Sequence, residues 1–597
     1  MKLKGIVSVN YLLKWNLIGL IVGIIAGIGA IIFYTLLELC TYTFLGLGAG
    51  FFPPKPGVEA ISWVQPSNPL RLIGIITLGG LVSGLMVYTF APEAEGHGTD
   101  AAIRSFHREE GRIRARIPLL KTIASAITIG SGGSAGREGP TAQISAGYGS
   151  IVASILKLNP RDRRIALAVG IGAGIGSIFK SPLGGALLSA EILYRRDFEV
   201  EALVPGLIAS VIGYIIFCTY DGYEPIFKFP VVHISALHIP FFMVEGVVCG
   251  FFGLLYVISF YRAHEVFSRL FEKLKLPVHF KPTLGALITG IFVVTVAKLF
   301  NPIVGYGALG MGYGFLQMAM FNLLPLEVML TLAIVKIVAT SLTIGSGGSG
   351  GVFAPGLVIG GMVGGAVGML MHSLFPSVVT LSVVPAFVAI GMIALFGGIS
   401  KAPISVLIMI CEMTKNYELL FPGMAAVAIS YMITGDHTIY IEQVGTRADS
   451  PAHRMEMSVD ILRKIKVWEA MIPAERVMTV SPSNTVLEVL DLIEKTGFMG
   501  FPVVEDGKLV GVITFQDLES VSIEKRAETR IDEVMTKKVV VVYPDDTLES
   551  ALIKLVEMDI GRLPVVDRGD EKKLVGFITK GDIIKAHARE VTKLLEV

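Results

Sequence analysis

Thr-Ile-Gly-Ser-Gly-Gly-Ser occupies residues 128–134 and recurs, residue for residue, at 343–349. The offset of 215 (128 to 343) persists on both sides: Lys121 matches Lys336, Gly136 matches Gly351 and Pro140 matches Pro355. Beyond the shared seven residues the copies diverge. The first continues Ala135-Gly136-Arg137-Glu138-Gly139-Pro140, the second Gly350-Gly351-Val352-Phe353-Ala354-Pro355. Both lie between long apolar stretches. A Gly-rich break inside a hydrophobic segment, once in each half of a chain, points to a transporter's binding site near the middle of the membrane. There is a second correspondence: Lys180-Ser181-Pro182 leading to Glu191 recurs as Lys401-Ala402-Pro403 leading to Glu412, at an offset of 221 (180 to 401). Two matches in the same order indicate internal duplication, with halves expected at about 70–220 and 284–440. The matches leave open whether the halves run parallel or inverted.

The bulk numbers agree with a membrane protein. The 597 residues are 52% hydrophobic and 17% charged, against roughly 25% charged in soluble domains, and mean hydropathy is +0.67. Net charge is +1, so no bulk field argues for nucleic acid. Charge is uneven: residues 451–597 hold 47 of the Asp, Glu, Lys and Arg residues, and residues 1–450 the other 54. We therefore expect a membrane domain over 1–450, a linker over 451–470 and a soluble tail. The apolar run from about 17 to 47 is too long for a signal-peptide core and predicts a first spanning helix. Cys40, Cys218, Cys249 and Cys411 all sit in apolar segments without paired spacing, as buried small hydrophobes do. The turn Gly96-His97-Gly98-Thr99-Asp100 offers Thr99 or Asp100 as a helix cap, and the basic stretch 107–116 reads as a surface loop. Several apolar pieces between 119 and 219 are shorter than a full span. Broken helices are tolerated at membrane depth only where they are buried in protein or line a cavity.

The breaks have a definite chemistry. Where a Gly-rich break starts a helix, free N–H groups and the macrodipole converge on one spot and form an anion site without a formal cation. That suits transport, since a full positive charge would hold the anion too tightly to release it. Glu138 is the exception. A carboxylate at such a helix start can occupy the site in place of the ligand, and protonating it would free the site; the alternative is a structural ion pair with Arg137. An intramembrane carboxylate is costly and marks function by default.

Gly-Ser-Gly-Gly-Ser-Ala-Gly-Arg-Glu-Gly-Pro, Gly-Ser-Gly-Gly-Ser-Gly-Gly-Val-Phe-Ala-Pro and the two Pro-to-Glu segments resemble the CLC family of chloride channels and chloride/proton exchangers, over about residues 15–450. The resemblance implies a polytopic all-α fold of two inverted repeats with tilted, broken helices. It also implies a homodimer in the plasma membrane with one pathway per subunit for chloride or a similar small anion. By it Glu138 is the gating glutamate. His97, Gly98, Arg137, Gly351, Val352, Phe353 and Tyr440 are candidate anion contacts, Gly351 to Phe353 largely through backbone N–H. Two positions depart from the family. Its first motif is usually Gly-Ser-Gly-Ile-Pro, whose Ser hydroxyl binds the anion; here His97 replaces the Ser, and an imidazole is pH-sensitive. Proton-coupled members commonly carry two adjacent glutamates where this chain has Glu191-Ile192. Glu138 and Glu191 are the candidate proton path; the alternative for Glu191, as for Glu412 in the other half, is a buried, hydrogen-bonded structural acid. Ile192 favours a channel-like or weakly coupled protein, with a chloride/proton antiporter as the alternative.

The tail holds a second duplication. Phe501-Pro502-Val503-Val504 recurs as Leu563-Pro564-Val565-Val566, and Gly511 to Asp517 as Gly576 to Asp582. Each unit reads helix, strand, strand, helix, over 471–525 and 531–590. These resemble a tandem pair of CBS domains, in the cytoplasm. In that family the matching Thr and Asp hold the ribose of an adenine nucleotide (ATP, ADP or AMP), which makes Thr514, Asp517, Thr579 and Asp582 candidates; helix capping would use the same residues.

Other classes lack their motifs. A CBS-bearing metalloprotease needs His-Glu-x-x-His, whereas His264-Glu265 is followed by Val266-Phe267-Ser268. The Gly-rich stretches lack the Gly-Lys-Ser/Thr of an ATP-driven pump. A divalent-cation transporter would gather several hard oxygen ligands, and the breaks offer amides and one Glu. No enzymatic residue, metal ligand or required cofactor is expected.

Overall fold

Proline in the first turn opens helix after helix in this chain, since its missing N–H costs nothing there. The computed structural model describes residues 2–453 and 461–595, as two compact units, 1–452 and 453–597. In the first unit, the helices of the first half run α1 (Lys2–Thr41), α2 (Pro69–Phe90), α3 (Thr99–Arg108), α4 (Arg116–Gly130), α5 (Glu138–Ile155), α6 (Pro160–Ile178), α7 (Pro182–Glu191) and α8 (Val200–Asp221). The second half continues as α9 (Ile239–Lys273), α10 (Lys281–Leu299), α11 (Pro302–Tyr306), α12 (Tyr313–Met320), α13 (Leu326–Gly345), α14 (Phe353–Leu374), α15 (Val384–Ser400), α16 (Pro403–Thr414) and α17 (Leu420–Thr434). Asn68 and Asn159 cap α2 and α6 through their side-chain oxygens, each followed by Pro. Among the described residues, α1, α2, α8, α9, α10, α13, α14, α15 and α17 are long and apolar enough to cross a membrane.

Small residues let the innermost helices touch. A Cβ on Gly360 of α14 would lie 2.4 Å from the Gly391 carbonyl oxygen of α15, and one on Gly391 would lie 2.2 Å from that of Gly360. Such close approach is how helices pack where lipid removes the hydrophobic drive between them.

The halves meet across a two-fold. Gly136 and Gly351 exchange backbone hydrogen bonds, 2.7 Å from Gly136 N to Gly351 O and 2.6 Å in return. Ser125 bonds Ser349 at 2.9 Å, and Ser134 bonds Thr340 at 2.9 Å; with the offset of 215 these are the same contact made twice. α1 packs on α6 and α8 as α9 packs on α15 and α17. The repeat therefore takes in α1 and α9 and begins earlier than the expected 70 and 284. Both helices carry a Gly-x-x-x-Gly, Gly23 to Gly27 and Gly246 to Gly250, which meets Ala209 and Ile216 in one half and Ala426 and Ile433 in the other. The supposed surface loop 107–116 also differs. Its first residue, His107, lies in the last turn of α3 and is buried, bonded to Ser450 Oγ at 2.7 Å and the Leu193 carbonyl at 2.8 Å.

The second unit contains two small antiparallel sheets. β2 (Gly500–Glu505) pairs with β3 (Lys508–Thr514), and β4 (Arg562–Asp567) with β5 (Asp570–Thr579), which also takes β1 (Ile472–Pro473). The leading segment of each repeat crosses to the other: β1 joins β5, while Thr536 bridges to Val512 of β3. Leu462, Ile465 and Val467, expected in a linker, are buried in the core around β4 and β5. The expected linker is thus partly structural, its residues 454–460 lying outside those described. Sequence similarity marks where a unit repeats, and strand exchange decides where its core closes.

Candidate functional site

The site is built from helix starts. α5 begins at Glu138 and α14 at Phe353, on either side of the Gly136–Gly351 bridge. Glycine is required there: a Cβ on Gly139 would lie 2.0 Å from the His97 carbonyl oxygen and 3.1 Å from Gly351 Cα. Two further turns close in. Gly98 precedes α3 with φ +85° and Gly312 precedes α12 with φ +84°, a conformation glycine alone adopts cheaply. Gly96-His97-Gly98-Thr99 and Gly310-Met311-Gly312-Tyr313 are equivalent at an offset of 214 (96 to 310). Each is held by the buried lysine of its own half. Lys121 Nζ donates to the carbonyls of Ala94 and Gly96 at 2.8 and 2.7 Å. Lys336 Nζ donates to those of Ala308 and Gly310 at 3.0 and 2.7 Å.

Glu138 lies inside this arrangement, 1% exposed. Its Oε1 accepts from the Tyr313 hydroxyl at 2.8 Å and its Oε2 from the Ala354 amide of α14 at 3.2 Å. The absent side chain of Gly136 makes room, since a Cβ there would lie 2.0 Å from Glu138 Oε2. The carboxylate thus occupies the N-terminus of the second half's helix, where dipole and free amides favour an anion.

Other candidates fall differently. Arg137 makes no ion pair with Glu138 among the described residues. Its guanidinium donates to the Ile178 carbonyl at 3.1 Å and stands over the Tyr34 ring, so it closes the end of α6 and not the anion site. The Gly351 amide, expected to face an anion, is consumed by Gly136. Val352 and Phe353 are buried at the start of α14, the Val352 carbonyl accepting from Tyr256 at 3.1 Å. Tyr440, 2% exposed, has its ring 5.5 Å from that of His97 and 6.4 Å from that of Phe396. Neither Thr99 nor Asp100 caps α3; Gly98 holds that position, and Asp100 pairs with His97 instead.

Glu191 is not at this site. It accepts from the Ile404 and Ser405 amides at 3.2 and 2.7 Å and from the Ser405 hydroxyl, so it caps α16. Glu412 caps α7 reciprocally, taking Ser181 Oγ at 2.5 Å and Gly184 N at 2.9 Å. Tyr313 was missed from the sequence, although the Gly-x-Gly repeat at offset 214 marks its position.

Two cavities flank the site. One of about 380 Å³ is lined by Gly96, His97, Gly98 and Asp100, the other of about 190 Å³ by Gly310, Met311, Gly312 and Tyr313. Each half thus presents its Gly-x-Gly turn to one of them. In the second unit, Asp517 Oδ2 accepts from Thr514 N and Oγ1 at 2.8 and 2.7 Å, and Asp582 does the same with Thr579 at 3.0 and 2.7 Å. Both pairs act as helix caps. Thr514 and Asp517 also line a cavity of about 660 Å³ with Lys538 and Arg562.

Comparison with known proteins agrees. An uncharacterised protein of Methanocaldococcus jannaschii is 28% identical over 429 residues, 72% of this chain and 95% of that one. An H(+)/Cl(-) exchange transporter of Yersinia pestis is 28% identical over 389 residues, 61% of this chain and 77% of that one. The fold matches the crystal structure of a slow cyanobacterial Cl-/H+ antiporter with TM-score 0.60 at 23% identity, covering 72% of this chain and 96% of that one. CBS domains match 468–524 and 531–589. With the sequence model of the voltage gated chloride channel family matching residues 79–435, this chain belongs to that family of multi-pass anion-transport proteins and carries a tandem CBS pair behind its membrane domain.

Proposed function

We propose that this protein conducts chloride or a similar small anion through a pathway gated by Glu138. The observation that carries this reading is the Glu138 carboxylate on the Ala354 amide at the start of α14, held by Tyr313 with no cation paired to it among the described residues. A side-chain anion sits where a free one would bind. Protonated, it loses its electrostatic claim on the helix start and yields the place. Glu138→Gln in proteoliposomes is expected to leave anion flux intact or raised and to abolish its dependence on outside pH. Unchanged dependence on outside pH refutes the gate.

Coupling is weak or absent in this reading. Ile192 is buried and apolar at the usual second-glutamate position, and Glu191 is committed to capping α16. The likeness to a protein named as an H(+)/Cl(-) exchanger favours the antiporter as the second reading. A reversal potential measured under a chloride gradient, with and without a pH gradient, separates them: a shift with pH means exchange, and none means a channel. The protein acts as a homodimer in the plasma membrane, with the CBS pair in the cytoplasm. ATP, ADP or AMP binds at the cavity beside Thr514 and Asp517 and regulates transport. A rise in melting temperature with excess nucleotide supports this last step, and no rise overturns it.

A further inference from the structure

We propose that His97 and Asp100 form a second proton-binding site, which takes up its proton together with the anion from the 380 Å³ cavity. The inference rests on the anion-site reading of the helix starts. Imidazole Nε2 lies 3.1 Å from Asp100 Oδ2. The other carboxylate oxygen accepts from the Glu442 amide at 3.2 Å, which fixes Asp100 in place. With a carboxylate as its neighbour, Nε2 carries a proton in both charge states of the ring. Nδ1 is buried and has no hydrogen-bond partner among the described residues; it is the nitrogen left for a ligand. On the neutral ring Nδ1 presents a lone pair, which repels an anion. On the charged ring it presents an N–H and a full positive charge. The anion and the proton therefore arrive as a pair.

The titratable groups around the dyad are engaged elsewhere or stand by as rings: His264 Nδ1 meets the Gly345 carbonyl at 3.2 Å, Glu95 pairs with Lys281, and Tyr440 presents its ring at 5.5 Å. The Lys121 ammonium of α4 is taken up by the Ala94 and Gly96 carbonyls. From α9, Phe260 contributes an uncharged ring at 6.0 Å, and the Tyr261 hydroxyl donates to the Ile439 carbonyl at 2.7 Å. Gln143 of α5 is neutral. Glu442 is paired with Arg104 and Arg108. Glu138 is held by Tyr313 and Ala354. Among the described residues Asp100 is the carboxylate within ion-pair distance of the ring. The second half has Met311 at the equivalent position, so the device serves one cavity only. The other cavity has Tyr313 on its wall, and through it Glu138.

The test is chloride binding to the full-length protein in detergent, by calorimetry, with Glu138→Gln in every sample to silence the gate. Chloride is expected to bind roughly tenfold tighter at acid than at alkaline pH. Adding chloride in weak buffer takes up protons. Glu138→Gln/His97→Ser loses both the pH response of chloride affinity and the proton uptake. His97→Gln does the same if the Ser variant does not fold. Glu138→Gln/Asp100→Asn keeps the ring and shows a smaller response. An undiminished pH response or proton uptake without the imidazole overturns the proposal. Absence of chloride binding to the Glu138→Gln protein at any pH instead refutes the anion site itself.

Discussion

Tyr313→Phe removes one hydroxyl and leaves the ring that packs on Phe227 at 5.2 Å. That hydroxyl donates to Glu138 Oε1 at 2.8 Å, and the tyrosine is 3% exposed. A hydrogen bond to a charged group contributes about 1.5–3 kcal/mol. Losing it therefore weakens the seated carboxylate by about 10- to 100-fold relative to the displaced one. The sign follows from which form the hydroxyl stabilises: it favours the ionised, seated Glu138. Without it the gate opens at lower proton concentration, and the pH–flux curve moves toward higher pH. Chloride efflux from proteoliposomes over a pH series measures this displacement. The same substitution made on Glu138→Gln should add little, because the bond it removes has already lost its charge; that double-mutant comparison isolates the pair. A Tyr313→Phe curve superimposable on the parent's would refute the claim that Tyr313 holds the gate shut.

Lys121→Met and Lys336→Met each abandon two carbonyls, and should lower stability by similar amounts, about 2 kcal/mol or more, as melting temperatures in detergent would show. Gly139→Ala forces a Cβ to within 2.0 Å of the His97 carbonyl, so loss of folded protein on size-exclusion chromatography is expected, at a cost of about 3 kcal/mol. Glu191→Ala and Glu412→Ala each uncap a buried helix start and should destabilise alike, by about 2 kcal/mol; an effect of Glu191→Ala on the reversal potential with no change in melting temperature would return it to a proton path. Thr514→Ala and Thr579→Ala should each cost about 1 kcal/mol as lost caps, measured by denaturant unfolding of the tail in the intact protein.

The duplications were legible because they are local and regular in spacing. Thr-Ile-Gly-Ser-Gly-Gly-Ser at 128 and 343, and the Lys-x-Pro-to-Glu segments, established the class of protein and the position of Glu138 without any coordinates. A glycine-rich break in an apolar stretch has few physical uses, and an acid inside it fewer. The tail units were legible for the same reason, as alternation of short strands and helices about a repeated Pro-Val-Val. Three dimensions decided which donors are free. The sequence cannot say that Gly351 spends its amide on Gly136, that Arg137 turns to Ile178, or that Glu191 and Glu412 cap each other's halves, since each partner lies far along the chain. Nor can it find Tyr313 on Glu138, because that pairing arises only when helix starts from the two halves converge. Residue types in a spacing determine what chemistry is present. A hydrogen bond can be spent only once, and the tertiary structure decides where.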